Sequence, residues 1–476
     1  MPLYKKGMCK EILVIVLISF VINISCAQIK SEEGLNVSYD LGNKTSFKTL
    51  IGGNIAHSGE KMGVWAANRF DPIKNLGIYS LRTHDARSLD WDRIFPDWNA
   101  DPNNEKSYDF EKSDRIINFM ISQGFKPFLR LGVSVSAVSL KRKIGLNPPD
   151  SKKWATIAAH IIKHYKSNWA NGYSYPIEYV EIWNEPDIKF WGGTRQDFYN
   201  LASESVSTLK REFPNLKVGL CGIANLQKAQ NFTEGLLKYL SDPNLDGNTN
   251  DRINFDFFSW HVYEMGKGLM LFKEFATLSR NLLNKYGYTS VQSFCTEWNA
   301  SLPSNYLQSN DAAIDITSTL IWSENNKVDG IYFYPLVDKW GLFHTDKALT
   351  SNDIGVFQWT NLSKAFKLYN DFKTQTPYKL PSQSKNVSNI SQIIGATTKS
   401  GTLTQFLISS KSHYTTNAVI SLKDFPFATS KIQVFVQRDI GLFPVKKDNL
   451  FRSKSGSLTV NASIPSNAVV LIKIEN

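Results

Sequence analysis

The stretch VEIWNEPDIKFW, from Val180 to Trp191, holds Glu181, Glu185 and Asp187 within seven residues. Three acids this close could share a helix face, ligate a metal or supply one half of a catalytic pair. The run leading into them is β-branched and aromatic and is stopped by Pro186, so it reads as a strand rather than a helix. No His or Cys stands beside the acids at ligand spacing, so nothing here indicates a metal site. Side chains alternate along a strand, which puts Glu181 and Glu185 on one face at different depths: Glu181 mid-strand, Glu185 at the rim. Asp187 falls in the loop beyond. A mid-strand glutamate needs a buried partner, and the sequence names none.

A second stretch, SFCTEWNAS, puts Glu297 at the end of another apolar run, again beside a tryptophan. Two facing carboxylates are what retaining glycoside hydrolysis requires, one protonating the leaving oxygen while the other attacks the anomeric carbon. The two roles need different proton affinities, which different surroundings can supply. A carboxyl in an aromatic pocket close to the negative nucleophile suits the acid. One bonded by Arg and Tyr stays ionised and suits the nucleophile.

The elements that would position these residues are legible as texture. From about residue 49 to 372 the chain alternates short apolar runs with amphipathic stretches such as EKSDRIINFMISQG and WATIAAHIIKHYKSN, whose apolar residues recur at three- and four-residue steps. The runs are TLIGGNIA, LGIYSLRT, FKPFLRLGVS, IEYVEIWNE, LKVGLCGIA, FDFFSWHVY, VQSFCTEWN and VDGIYFYPLV. Their continuous hydrophobicity marks strands buried on both faces. Eight such units predict an α/β fold, a (β/α)8 TIM barrel spanning 45–375. An open doubly wound sheet is disfavoured because no Gly-rich phosphate loop follows the first run. Catalytic groups of such barrels stand at the C-terminal strand ends. The acids of strands four and seven then face each other across the mouth. Residues 380–476 are short β-type runs separated by Ser, Asn and Gly turns, and predict a C-terminal β-sandwich, to which 34–44 can add a strand.

Composition bounds the rest. The chain has 476 residues, 42% hydrophobic and 20% charged, ordinary for a globular protein of one large and one smaller domain. Aromatics reach 13%, which suits a packed core and also sugar-stacking platforms. The formal charge of +11 is scattered, without the stripe a nucleic-acid partner would need. Residues 1–27 have a basic start, a short apolar run from Ile12 to Ile24 and a small-residue exit, the layout of a secretory signal. Cleavage before Gln28 competes with lipidation at Cys26, which would be the chain's only attachment to a membrane. Either route exports the protein to the periplasm, cell surface or medium. Cys221 and Cys295 read as buried strand thiols, and no metal or cofactor motif appears.

WNEPD at strand four together with TEWNAS at strand seven resembles clan A of the glycoside hydrolases, and within it family 39, which contains β-xylosidases and α-L-iduronidases. The resemblance runs over the barrel and the sandwich. It implies Glu185 as general acid/base, Glu297 as nucleophile and Asn184 as holder of the substrate 2-hydroxyl. WHVY at the sixth strand end is similar to the family's His-x-Tyr, which implies His261 as a sugar ligand and Tyr263 as partner of the nucleophile. Arg82 in SLRTHD matches the second-strand arginine, with His84 and Asp85 facing the sugar. Trp298 and Trp340, like Trp183, are stacking platforms or core. The third strand end, RLGVSVSAV, departs from the family's β-xylosidases. Arg130 there, with Arg82, Arg87 or Lys339, could accept a carboxylate or sulfate on the sugar, or pair with barrel acids.

The resemblance therefore implies an exported retaining exo-glycosidase of β-xylosidase type acting on an oligo- or polysaccharide. Hydrolysis of an anionic polysaccharide is a second reading, and an inert carbohydrate-binding barrel a third.

Overall fold

A computed structural model describes residues 34–140, 143–242, 252–263, 269–299, 306, 309–345, 356–382, 391–425, 431–438, 441–444, 450–452 and 456–475. The signal-like segment and Cys26 lie outside them. Eight parallel strands close into a barrel: β1 (Leu50–Asn54), β2 (Ser80–Arg82), β3 (Lys126–Leu131), β4 (Tyr179–Ile182), β5 (Lys217–Ile223), β6 (Phe257–Tyr263), β7 (Gln292–Asn299) and β8 (Gly330–Phe333). Each of the eight apolar runs supplies one of them.

The floor of the barrel is aromatic. Phe128, Phe257, Phe294 and Tyr332 are fully buried and form their own cluster, with ring centroids 4.9 Å apart for Phe128–Tyr332 and for Phe257–Phe294. Rings of this size bury roughly 4–6 kcal/mol of transfer free energy each, as an upper bound. Room for them comes from glycine: a β-carbon on Gly52 would sit 2.2 Å from the Tyr332 ring, and one on Gly219 2.2 Å from the Phe257 ring. This is why two of the eight apolar runs carry glycine where their neighbours carry rings.

Outside the strands, helices begin where the sequence supplies caps. Asp150 accepts from the amides of Lys152 and Lys153 at the start of Ser151–Lys166. Thr194 and Asp197 form a reciprocal capping box before Arg195–Glu212. Ser309 caps Asn310–Asn325, and Thr360 caps Asn361–Gln375.

A β-sandwich follows. One sheet has four strands, Leu35–Asp40, Thr416–Lys423, Leu458–Ile464 and Leu450–Arg452. The other has seven, including Ser391–Thr397, Leu403–Ser410 and Ala468–Glu475. Val37, Tyr39, Phe406, Ile420, Val460 and Ile472 fill the space between the sheets. Leu35–Asp40 runs parallel to Thr416–Lys423. Thr45–Ser46 pairs with Tyr378–Leu380 in the larger sheet, so the barrel proper starts at Leu50. The outer face of that sheet packs on the last two barrel helices, where Ile394, Leu407 and Leu471 join the barrel's apolar cluster. Ser318 and Ser409 hydroxyls meet at 2.8 Å there, and Lys411 pairs with Asp315 at 2.8 Å. Among the described residues no helix is long and apolar enough to cross a membrane.

Candidate active site

Both acidic strand ends depart from regular geometry. Past β4 the chain turns through Trp183 (φ 70°) and Glu185 (φ 48°), left-handed conformations that cost a side-chain-bearing residue roughly 1–3 kcal/mol. Hydrogen bonds hold the turn. The Trp183 amide donates to the Leu131 carbonyl at 2.7 Å, and the Glu185 amide donates to the carbonyls of Cys221 and Gly222 at 3.1 and 3.0 Å. The Trp183 indole, fully buried, donates to the Phe190 carbonyl. Glu185 is thus pinned over the mouth by its backbone.

On β7 the device is a bulge. Trp260 opposes Cys295, but His261 opposes Glu297, so Thr296 is an extra residue in the ladder. Thr296 and Glu297, although consecutive, both reach the network inside the barrel.

At the centre is Arg82, fully buried. It donates to Glu181 from Nε at 2.7 Å, to Asn54 and Glu297 from Nη1 at 2.9 and 2.8 Å, and to Asn184 from Nη2 at 2.7 Å. Glu181 also receives the hydroxyls of Ser259 at 2.6 Å and Thr296 at 3.0 Å. The buried partners that a mid-strand glutamate needs are therefore Arg82, Ser259 and Thr296, from β2, β6 and β7. Glu297 receives Tyr263 Oη at 2.5 Å on its other oxygen, with His84 Nε2 3.5 Å from Oε1. Glu185 shares a 2.8 Å hydrogen bond with His261 Nδ1. Asn184 spends its carbonyl on Arg82 and leaves its Nδ2 buried and without a partner among the described residues, a donor available to a bound molecule.

The surroundings of the two glutamates differ. Glu185 is pushed up to about 8 by burial first, and then by the charges of Asp187 and Asp85. Burial also raises Glu297, but Arg82 and the Tyr263 hydroxyl pull against it. Oxygen atoms of Glu185 and Glu297 and a ring nitrogen of His261 lie within 4.8 Å of one another. These are also metal-ligand types, but the same lone pairs and protons already serve the Glu185–His261 and Tyr263–Glu297 hydrogen bonds. Retaining glycosidases hold their two carboxyl groups ~5–5.5 Å apart and inverting ones ~6.5–9.5 Å apart.

Glu185, Glu297, Asn184, His261, Tyr263, Arg82 and His84 thus converge on one mouth. Asp85 (φ 62°) ties loops together, accepting from Tyr334 Oη at 2.6 Å and from the Val135 amide at 2.8 Å. Arg130 is buried, but one nitrogen is taken by Asp90 at 2.9 Å. Arg87 holds Asp90 and Asp92, and Lys339 lies 4.4 Å over the Trp340 ring. Trp298 is 2% exposed and packs against Phe272, Phe333 and Phe366. It lies between barrel and helices, on the face of β7 opposite Glu297. Trp340 is half-exposed in the loop after β8, its carbonyl held by Asn299 Nδ2 at 2.9 Å. Asp187 accepts from the Ala224 amide and so braces the β5 end. Cys221 and Cys295 are buried thiols, that of Cys295 donating to the Glu297 carbonyl at 3.3 Å.

Sequence reasoning missed Asn54, Ser259, Thr296 and Tyr334. Only Asn54 left a signal, as the last polar residue of an apolar run.

A buried carboxylate pair across the mouth of a (β/α)8 barrel is the arrangement that the resemblance to glycoside hydrolases implies. Residues 56–291, just under half of the chain, match the model of Glycosyl hydrolases family 39, the family that the WNEPD and TEWNAS motifs resemble. It is 29% identical over 126 residues to a β-xylosidase of Caldicellulosiruptor saccharolyticus, covering 24% of this chain and 25% of that protein. To a β-xylosidase of Geobacillus stearothermophilus it is 21% identical over 342 residues, covering 64% of each. The matches therefore span a quarter and just under two thirds of these curated relatives. A glucosidase structure from Croceicoccus marinus superposes with a TM-score of 0.67 at 18% identity, covering 93% of this chain and 99% of that one. That likeness bears on the fold.

Proposed function

We propose that this protein is a retaining glycoside hydrolase. The observation that carries the reading is the spacing of Glu185 and Glu297, within 4.8 Å at their nearest oxygens, combined with their unlike surroundings. Glu185, protonated, gives its proton to the glycosidic oxygen as that bond breaks. Glu297, held by Arg82 and Tyr263, attacks the anomeric carbon and forms a glycosyl ester. After the aglycone leaves, Glu185 takes a proton from water as the water oxygen attacks the same carbon and Glu297 is released as carboxylate. The free Asn184 amide donates to the sugar hydroxyl next to the reacting carbon.

The substrate class is a β-xyloside or similar exo-linked glycoside of an oligo- or polysaccharide, supported by the two β-xylosidase relatives. An anionic sugar is less well served, because Arg87 is engaged by Asp90 and Asp92 and Arg130 is fully buried with Nη2 on Asp90. The basic, apolar leader supports export, with Cys26 as the alternative lipid anchor.

Wild type, Glu297→Gln and Glu185→Ala are to be assayed on a panel of aryl glycosides, with the anomer of the first-formed product read by NMR. Turnover by wild type alone with retained configuration is expected. Equal rates from all three proteins, or no wild-type turnover on any glycoside, would overturn the reading and favour an inert carbohydrate-binding barrel.

A further inference from the structure

His261 stands between two carboxylates that play different parts. Its Nδ1 is 2.8 Å from Glu185 Oε1, and its Nε2 is 3.2 Å from Thr296 Oγ1. Thr296 has one hydroxyl proton, and Glu181 Oε1 lies 3.0 Å away to receive it. Glu181 is ion-paired with Arg82 through Nε and Nη2 at 2.7 and 2.6 Å, so it can only accept. With its proton given to Glu181, Thr296 can only accept from His261. The imidazole then carries hydrogen on Nε2 and a bare lone pair on Nδ1. A bare Nδ1 at 2.8 Å from a carboxyl oxygen requires that carboxyl to hold the proton between them.

We propose that Glu181, acting through Thr296, fixes the Nε2–H tautomer of His261 and thereby keeps Glu185 in its acid form before substrate is cleaved. This rests on the hydrolase reading for its catalytic consequence, though not for the tautomer. Glu181 and Thr296 are positioning residues in this scheme, since neither reaches the reacting atoms. Burial keeps His261 neutral, lowering its proton affinity against the opposing charges of Glu297 and Glu181. Once Glu185 has given its proton to the leaving group, its carboxylate faces the Nδ1 lone pair. That repulsion is relieved when Glu185 takes a proton from the attacking water, so one hydrogen-bond chain serves both halves of the reaction.

The other charges facing this pair are Asp187 and Lys189 on the β4 loop, Arg82 and Asp85 from β2 and its loop, and Glu297 on β7. His84 and Tyr263 also border it. Glu297 Oε2 stands 3.6 Å from Nδ1, while the hydrogen-bond partner of Nε2 among the described residues is Thr296, so the tautomer is set on the Thr296 side.

Two measurements test this. The first uses wild type labelled with ¹⁵N-histidine, the His261 signals being identified by their loss in His261→Gln. Nε2–H at His261 near neutral pH is expected, and Nδ1–H would overturn the proposal. This result does not depend on any glycoside being a substrate.

The second compares Thr296→Val and Thr296→Ser with wild type on aryl glycosides of good and poor leaving groups across pH. Thr296→Val should lose about tenfold more rate on the poor leaving group than on the good one, a part of the usual general-acid contribution. Its alkaline limb should move to lower pH, and Thr296→Ser should restore both. Equal losses on both leaving groups with an unmoved alkaline limb, in a variant melting like wild type, would overturn the proposal. If Thr296→Val does not fold, the labelled wild-type spectrum decides alone. If wild type cleaves nothing, the hydrolase reading fails while the tautomer result stands.

Discussion

The ends of β4 and β7 both deliver a glutamate to the same mouth, by opposite means. Glu185 is fixed through its backbone, in a left-handed turn gripped by the Cys221 and Gly222 carbonyls, and its carboxyl has one side-chain partner, His261. Glu297 sits in the ladder beside a bulge, and its carboxyl is held by Arg82 and Tyr263. A carboxyl with few donors in a buried place prefers to be neutral, and one with cationic and phenolic donors can carry charge. In the proposed reaction the difference between acid and nucleophile rests on the donors each carboxyl meets, with position set independently by the backbone.

The comparison is broken most completely by Glu297→Gln, which should lower turnover on the order of 10⁴-fold or more, with the fold intact by circular dichroism. Glu185→Gln comes next. Loss of a general acid costs ~10²–10⁴-fold, and the loss should shrink as the leaving group of an aryl glycoside improves, a dependence that Glu297→Gln should lack.

Moving one carboxyl without changing it is the third way. A β-carbon at Gly222 (φ +58°) would lie 2.8 Å from His261 Nε2, so Gly222→Ala should destabilise the protein by roughly 1–3 kcal/mol in denaturant melts. It should also depress kcat more than KM.

The donor count also predicts pH behaviour. Glu185 binds its proton more tightly folded, at about 8 against an ordinary 4.5. The folded chain therefore holds a proton that the unfolded chain releases. Its contribution to stability is intact below the unfolded value and is lost as pH rises through about 8. Melting temperature should fall with rising pH across that window, and the fall should be shallower in Glu185→Gln. Activity should decline over the same alkaline limb as the acid form disappears.

The smallest effect is expected at the rim. Trp340→Ala removes an exposed platform remote from bond cleavage and should raise KM by about two- to fivefold for glycosides with large aglycones, with kcat unchanged.

Much of this was legible in the sequence. The eight strands were, because burial on both faces leaves a continuous apolar signature that no helix interrupts. Glu185 and Glu297 were, because each ends such a run. Trp298 was left as platform or core, yet alternation from an inward Glu297 already turns it outward, where Phe272 and Phe366 receive it. The partners of Glu181 were hidden for a different reason. Arg82, Ser259 and Thr296 lie 99, 78 and 115 positions away, and only closure of the barrel brings them together. The bulge at Thr296 was also hidden, since one extra residue in a ladder leaves no mark on composition.

The aromatic floor has a consequence for traffic. Phe128, Phe257, Phe294 and Tyr332 fill the barrel below the site, which leaves the strand-end mouth as the route among the described residues. In the proposed reaction the departing aglycone and the incoming water use that mouth in turn, and a hydroxyl compound outside competes with water for the sugar carried on Glu297. A high concentration of alcohol or of a second sugar should therefore divert the product from free sugar to a new glycoside.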